Sequence, residues 1–217
     1  MPPNTNINAG NGTKSEMQVE LSRLKRDLRR YEATSDPDDD IIEEFEENIE
    51  RLKNYINDKG NSTLADCEVS LSFNGQFLRA SDGHFWPAAS GKRLPNGSFD
   101  YSNARQRLPN VGPIPEGIYW LNPCELNTTS PRHRLPSSIA RWGRASILIH
   151  PFETTHTFSR GGFFIHGGTE LGSAGCIDLA GSMFAIPTTT ITSFTQWLQR
   201  GKFCGHKCKI KLTVDYP

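Results

Sequence analysis

No run of apolar residues in this 217-residue chain approaches the ~20 needed to cross a bilayer, so no membrane span is expected. Nor do the first residues, Met1-Pro2-Pro3-Asn4-Thr5-Asn6, contain the basic and apolar regions of a secretory leader. The expectation is a protein made in the cytosol without an ordinary export tag. No nucleic-acid-binding motif is present, and no nucleic-acid partner is expected. Hydrophobic residues make up only 35% of the chain, low for a compact domain, and much of the shortfall lies in the N-terminal third. Charge of either sign in excess is also missing, because the formal net charge is zero. That balance hides an asymmetry. Residues 1–60 carry 9 basic and 14 acidic side chains, whereas residues 61–217 carry 15 and 10.

Cysteine is scarce as well, at five residues: Cys67, Cys124, Cys176, Cys204 and Cys208. Four can pair and leave one thiol, the arithmetic expected of a thiol enzyme working in an oxidising space. Cys204-Gly205-His206-Lys207-Cys208 is short enough to close on itself, which makes Cys204–Cys208 and Cys67–Cys124 the favoured pairs. The same segment gathers only three metal-type donors, so a closed zinc site would need a fourth. Neither a metal nor a cofactor is expected.

What is present begins with helix periodicity. Residues 1–14 are polar, rich in Asn, Gly and Pro, and are expected to be a disordered tail. Met17, Leu21, Leu24, Leu28 and Tyr31 then recur at steps of four and three, one face of a helix. Asp36-Pro37 breaks the chain as N-cap and first helical position. Ile42, Phe45, Ile49, Leu52 and Ile56 repeat the stripe, and Gly60 stops it. Residues 15–60 thus read as a helical hairpin, its first helix basic and its second acidic, with 61–67 as a linker. The hairpin either packs on its own neighbouring domain or docks a secretion-apparatus component or chaperone.

From residue 68 to 217 the pattern is β. Val69, Leu71 and Phe73 alternate with polar residues, and Asn74-Gly75 marks a hairpin turn. Residues 91–111 form a long polar loop, a length that goes with function or mobility, and it could border a substrate groove. Strands are expected at Gly117–Leu121, Ser146–His150, Gly161–Ile165 and Lys209–Tyr216. A helix is expected over Thr188–Arg200, where Ile191, Phe194, Trp197 and Leu198 share a face. The fold class is mainly β with few helices, preceded by the helical hairpin.

The stretch that carries chemistry is Phe163-Phe164-Ile165-His166-Gly167-Gly168-Thr169-Glu170-Leu171-Gly172-Ser173-Ala174-Gly175-Cys176-Ile177-Asp178-Leu179. Apolar runs flank a middle of small residues. His166 ends the first run and Cys176 opens the second. A cysteine attacks as its thiolate, and an imidazole can take the thiol proton and later return it to a leaving amine. The glycine-rich loop could fold His166 onto Cys176, and the N–H groups of Gly175 and Cys176 could then face a developing oxyanion.

The order His-Gly…Ser-x-Gly-Cys resembles the catalytic motif of the L,D-transpeptidases. Pro87-Ala88-Ala89-Ser90-Gly91-Lys92 and Gly112-Pro113-Ile114-Pro115-Glu116-Gly117-Ile118-Tyr119 are similar to two of that family's upstream segments. The ten-residue step from His166 to Cys176 is similar to the branch used as type VI secretion effectors. The resemblance implies an L,D-transpeptidase-like β-sandwich over residues 68–217. It implies Cys176 as nucleophile, His166 as base, and Ser173 shaping the loop or the substrate contact. Gly175 and Cys176 would hold the oxyanion, with Gly167 and Gly168 lining the substrate side. Ala174 and Asp178 depart from the family pattern, standing where many members carry a second His and an Arg. Arg160 is the first choice for gripping a substrate carboxylate. The implied substrates are peptidoglycan stem peptides, and the mildly basic domain suits an anionic polymer. The implied outcome is L,D-carboxypeptidase or exchange activity in a target cell's periplasm, with a cognate immunity protein as partner. A housekeeping enzyme making 3–3 cross-links and a catalytically silent wall-binding or secretion adaptor are the alternatives.

Overall fold

In the computed structural model the described residues are 14–35, 42, 45, 46, 49, 53, 64–128, 142–152, 154–158, 160–169, 171–179 and 187–217. The chain divides into two compact units. One is Met1–Thr63 with the short stretch Ser159–Gly162; the other is Leu64–Phe158 with Phe163–Pro217.

The first unit holds helix α1 (Lys14–Glu32), as the four–three spacing predicts. Leu24 is fully buried, and Arg23 pairs with Asp27 at 2.9 Å one helical turn on. Most of the second hairpin helix lies outside the described residues, as does the tail expected over 1–14 except for Lys14, which opens α1. Of that second helix, Phe45 and Ile49 are helical and buried. The ring of Phe45 sits 6.3 Å from that of Tyr31 at the end of α1.

Among the described residues, the second unit is built on one nine-stranded sheet. Its strands are β1 (Ala65–Phe73), β2 (Phe77–Ala80), β3 (Phe85–Pro87), β4 (Ala89–Ser90), β5 (Gly117–Leu121), β6 (Ser146–Pro151), β7 (Phe163–His166), β8 (Ile177–Asp178) and β9 (Cys208–Val214). The sheet order is β3-β2-β1-β9-β5-β6-β7-β8-β4. β3 and β4 stand at opposite edges, yet only Ala88 separates them in sequence, so the sheet curls nearly closed on itself. That closure leaves few unpaired edges. Most pairings are antiparallel; β1 with β9 and β7 with β8 are parallel. The fold is mainly β with few helices, as the strand spacing predicts.

Alternation along the strands decides what lies on each face. Ile147, Ile149, Phe163, Ile165 and Ile177 point into the main core, joined by Leu71, Phe73, Tyr119, Leu121, Ile210 and Leu212. Helix α2 (Asn103–Gln106) is one turn in the long loop. Helix α3 (Pro187–Arg200) lays Ile191, Phe194, Trp197 and Leu198 on this core, with Phe194 edge-on to Trp86 of β3 at 5.1 Å. No described helix is long and apolar enough to cross a membrane.

The disulfides differ from the favoured pairing. They are Cys67–Cys208 and Cys124–Cys204, and Cys176 is the free thiol. The reason is sheet order. Cys208 opens β9, which runs beside β1, and a register shift between Asp66 and Ser70 bulges β1 around Cys67. Cys204, in the turn after α3, meets the 3-10 turn Pro123–Glu125 that carries Cys124. Nearness in sequence between Cys204 and Cys208 loses to nearness across the fold. With both thiols consumed, the metal reading of residues 204–208 also falls.

Candidate active site

β7 and β8 bring the site together. They run parallel with Ile165 opposite Ile177 and His166 opposite Asp178. Because side chains alternate, the two isoleucines face the core, and Phe164, His166, Cys176 and Asp178 share the other face. Leu148 of β6, opposite Phe164, completes a second apolar cluster there with Cys176, against which the half-buried Trp142 packs. The nucleophile candidate therefore sits on the face opposite the main core, within its own small apolar cluster. Cys176 is 3% exposed, His166 2% and Asp178 1%.

The imidazole is held from several sides. Its Nδ1 donates to the carbonyl of Gly167 at 2.5 Å, because a carbonyl can only accept. That leaves Nε2 for the chemistry. Nε2 has no partner that meets ordinary hydrogen-bond geometry, yet the Cys176 thiol is close enough to act on the ring by hydrogen bonding and charge. The ring of Trp142 lies 4.9 Å from that of His166, tilted by 49°. The His166 carbonyl accepts from Leu179 N–H at 2.7 Å, and Trp142's carbonyl accepts from Gly167 N–H at 3.2 Å.

Glycine makes this approach possible. A Cβ on Gly143 would stand 2.9 Å from the Cα and carbonyl carbon of Gly167, and one on Gly167 would stand 2.7 Å from Ile191. The backbone at Gly167, next to His166, is thus clamped between a loop and α3.

Electrostatics favours a charged pair. Burial alone pushes the His166 pKa down. The Asp178 carboxylate, the Cys176 thiol and the Gly167 carbonyl together outweigh it and hold the imidazole up at about 9. Asp178 is the largest of these favourable influences. It also accepts from Gly172 N–H at 3.0 Å, tying the glycine-rich loop to the strand behind it. The sequence marks Asp178 only as a missing arginine; its electrostatic part emerges once the parallel β7–β8 register sets it opposite His166.

The other predicted residues are placed as follows. Ser173 is half-buried, and its carbonyl accepts from Gly91 N–H at 2.8 Å. Gly175 is buried with φ +84°, a conformation that glycine adopts without cost, immediately before Cys176. Gly167 and Gly168 are buried beside His166. Arg160 lies in the Ser159–Gly162 stretch of the first unit, whereas Cys176 and His166 belong to the second. Among the described residues no three His, Cys, Asp or Glu side chains are grouped to hold a metal ion.

No curated protein is significantly similar to the chain. A family model described as the Tlde1 domain matches residues 96–211, a span containing His166, Cys176 and Asp178. That match covers more than half of the sequence, and the chain belongs to the Tlde1 family of type VI secretion effectors.

Proposed function

We propose that this effector is a cysteine-dependent acyl transferase acting on peptidoglycan tetrapeptide stems, as an L,D-carboxypeptidase, a D-amino acid exchanger, or both. The observation that carries the reading is the single free thiol, Cys176, set against a buried imidazole whose Nε2 is otherwise unused. The two disulfides suit work in an oxidising compartment such as a target cell's periplasm.

In this reading Cys176 reacts as the thiolate of a thiolate–imidazolium pair. It attacks the carbonyl of the third stem residue, an L-centre bonded to terminal D-Ala. A C–S bond forms as the C–N bond breaks, and His166 gives its proton to the departing D-Ala amine. Amides of Gly175 and Cys176 hold the negative oxygen meanwhile. Water or the amine of another D-amino acid then attacks the thioester, losing its proton to His166 and releasing Cys176 as thiolate. The Asp178 carboxylate offsets the imidazolium charge. Removing or exchanging the terminal D-Ala weakens the wall, and a producer of such a toxin needs a cognate immunity protein.

The test is to incubate the purified chain with muropeptides and follow the tetrapeptide by mass. Loss or exchange of D-Ala, absent in Cys176→Ala, supports the reading. An unchanged tetrapeptide with Cys176 reduced and alkylatable sinks it.

A further inference from the structure

Asp178 sets a negative charge beside His166. A carboxylate substrate then needs its cation from another element. The long loop 91–111 is a basic element that lies directly against the glycine-rich segment. It carries Lys92, Arg93, Arg105 and Arg107 against one acid, Asp100.

This loop is a strap built onto the nucleophile segment. β4 pairs with β8, Ala89 opposite Asp178 and Ser90 opposite Ile177. The chain leaving β4 then runs along the glycine-rich loop, with Gly91 N–H donating to Ser173 O. Phe99 returns to cover Gly172, where a Cβ would stand 2.8 Å from its ring. The ring is fixed from behind by a stack. Phe99 lies 6.3 Å from Tyr101, and Tyr101 lies 4.5 Å from Tyr216. Tyr101 Oη also donates to the Gly75 carbonyl at 2.5 Å. The guanidinium of Arg93 rests 5.5 Å over the Phe99 ring. Arg93 is exposed and has no acidic partner among the described residues, so its fork of N–H donors is held in place by the ring and left unpaired.

We infer that Arg93, carried on Phe99 above Gly172, binds the C-terminal carboxylate of the donor peptide and so makes the strap the specificity edge of the site. The inference rests on the acyl-transfer reading and extends it to a substrate contact. A guanidinium on an aromatic ring is also a common surface feature. Arg79 of β2 lies 4.8 Å over Phe77 and 5.7 Å from Phe85, and provides the control.

The experiment compares kcat/KM for a synthetic tetrapeptide stem ending in a free carboxylate with that for its C-terminal carboxamide, using the full chain. Wild type favours the carboxylate. Arg93→Ala loses roughly 10- to 100-fold on the carboxylate and little on the amide, the size of a charged hydrogen bond removed. Arg93→Lys keeps part of the preference, and Arg79→Ala keeps all of it. Binding of both peptides to the Cys176→Ala chain, read by calorimetry, follows the same order. An Arg93→Ala chain that retains the full carboxylate preference overturns the inference and leaves the acyl-transfer reading standing. A wild-type chain that turns over and binds neither peptide overturns both.

Discussion

His166 and Asp178 are opposite each other on adjacent parallel strands, and both are almost sealed from solvent. A buried imidazole alone would be neutral at physiological pH. A buried carboxylate beside it reverses that, and the imidazolium becomes the resting form, with a pKa of about 9. In the proposed reaction, that places the proton for the leaving amine on His166 before attack begins.

The first prediction concerns this pair. Asp178→Asn removes the carboxylate's charge while keeping its shape, so the His166 pKa falls toward its ordinary value of 6.5. The alkaline limb of the Cys176 alkylation rate moves down with it. The sign for stability follows from linkage. A folded-state pKa raised from 6.5 to about 9 contributes stability that is fully present below 6.5 and is lost as pH rises through 9. Wild type should therefore melt lower at pH 9.5 than at pH 6, and Asp178→Asn should show a smaller difference. Melting curves at the two pH values, with the His166 ring followed by NMR, check both statements. An alkaline limb that stays in place in Asp178→Asn overturns the assignment.

Access to the thiol supplies the second. Cys176 shares its cluster with Leu148, Phe164 and the half-buried Trp142, whose indole stands edge-on to Phe164 at 5.5 Å and beside His166. Trp142→Ala should raise the rate of iodoacetamide modification of Cys176 roughly tenfold, as the local opening free energy drops by about 1.4 kcal/mol. Trp142→Phe should retain most of the protection. Equal rates in all three proteins, measured by mass, would show that the indole does not shield the thiol.

Much of this architecture was legible in the chain, and what was hidden has a physical cause. Strand β5 falls at Gly117–Leu121 as read from Ile118-Tyr119-Trp120-Leu121, and α3 begins one residue before the expected Thr188 because an apolar stripe at helical spacing is a local signal. β3 and β4 were not legible. They are three and two residues long and are strands only because distant chain pairs with them. The same holds for the disulfides and for Asp178, whose partners are set by sheet order. His166 and Cys176 were readable because both sit where an apolar run meets glycine. Arg93 was not, because only the fold returns Phe99 to Gly172.

Disulfide chemistry gives the third prediction. Cys67–Cys208 spans 141 residues and fastens β1 to the start of β9. Replacing both cysteines by Ser should cost about 2–5 kcal/mol, and in a domain of this size each kcal/mol lowers the melting midpoint by about 2–4 °C. His166 ends β7 and Cys176 immediately precedes β8, away from β1 and β9, so alkylation of Cys176 at 20 °C should be unchanged wherever the variant remains folded. A midpoint that does not move, measured without reductant, would mean the bridge constrains little.

The last prediction separates backbone strain from a steric clash at the site. Gly143 and Gly97 both have positive φ, +67° and +86°. Either Gly→Ala change forces a side chain into the left-handed region, at roughly 1–2 kcal/mol. They differ in what the new methyl meets. At Gly97 nothing lies within 4 Å, whereas at Gly143 the methyl would stand 2.9 Å from the backbone of Gly167. Backbone cannot rotate away as a side chain does, and Gly167 is held on its other side by Ile191. Gly97→Ala should therefore show only the modest loss of stability, with Cys176 reactivity intact. Gly143→Ala should lose more stability and also shift the His166 titration, because the carbonyl that holds Nδ1 moves with Gly167. Chemical denaturation together with the pH profile of Cys176 alkylation reads both. Identical profiles for the two variants would mean that the Gly143 approach does not position the base.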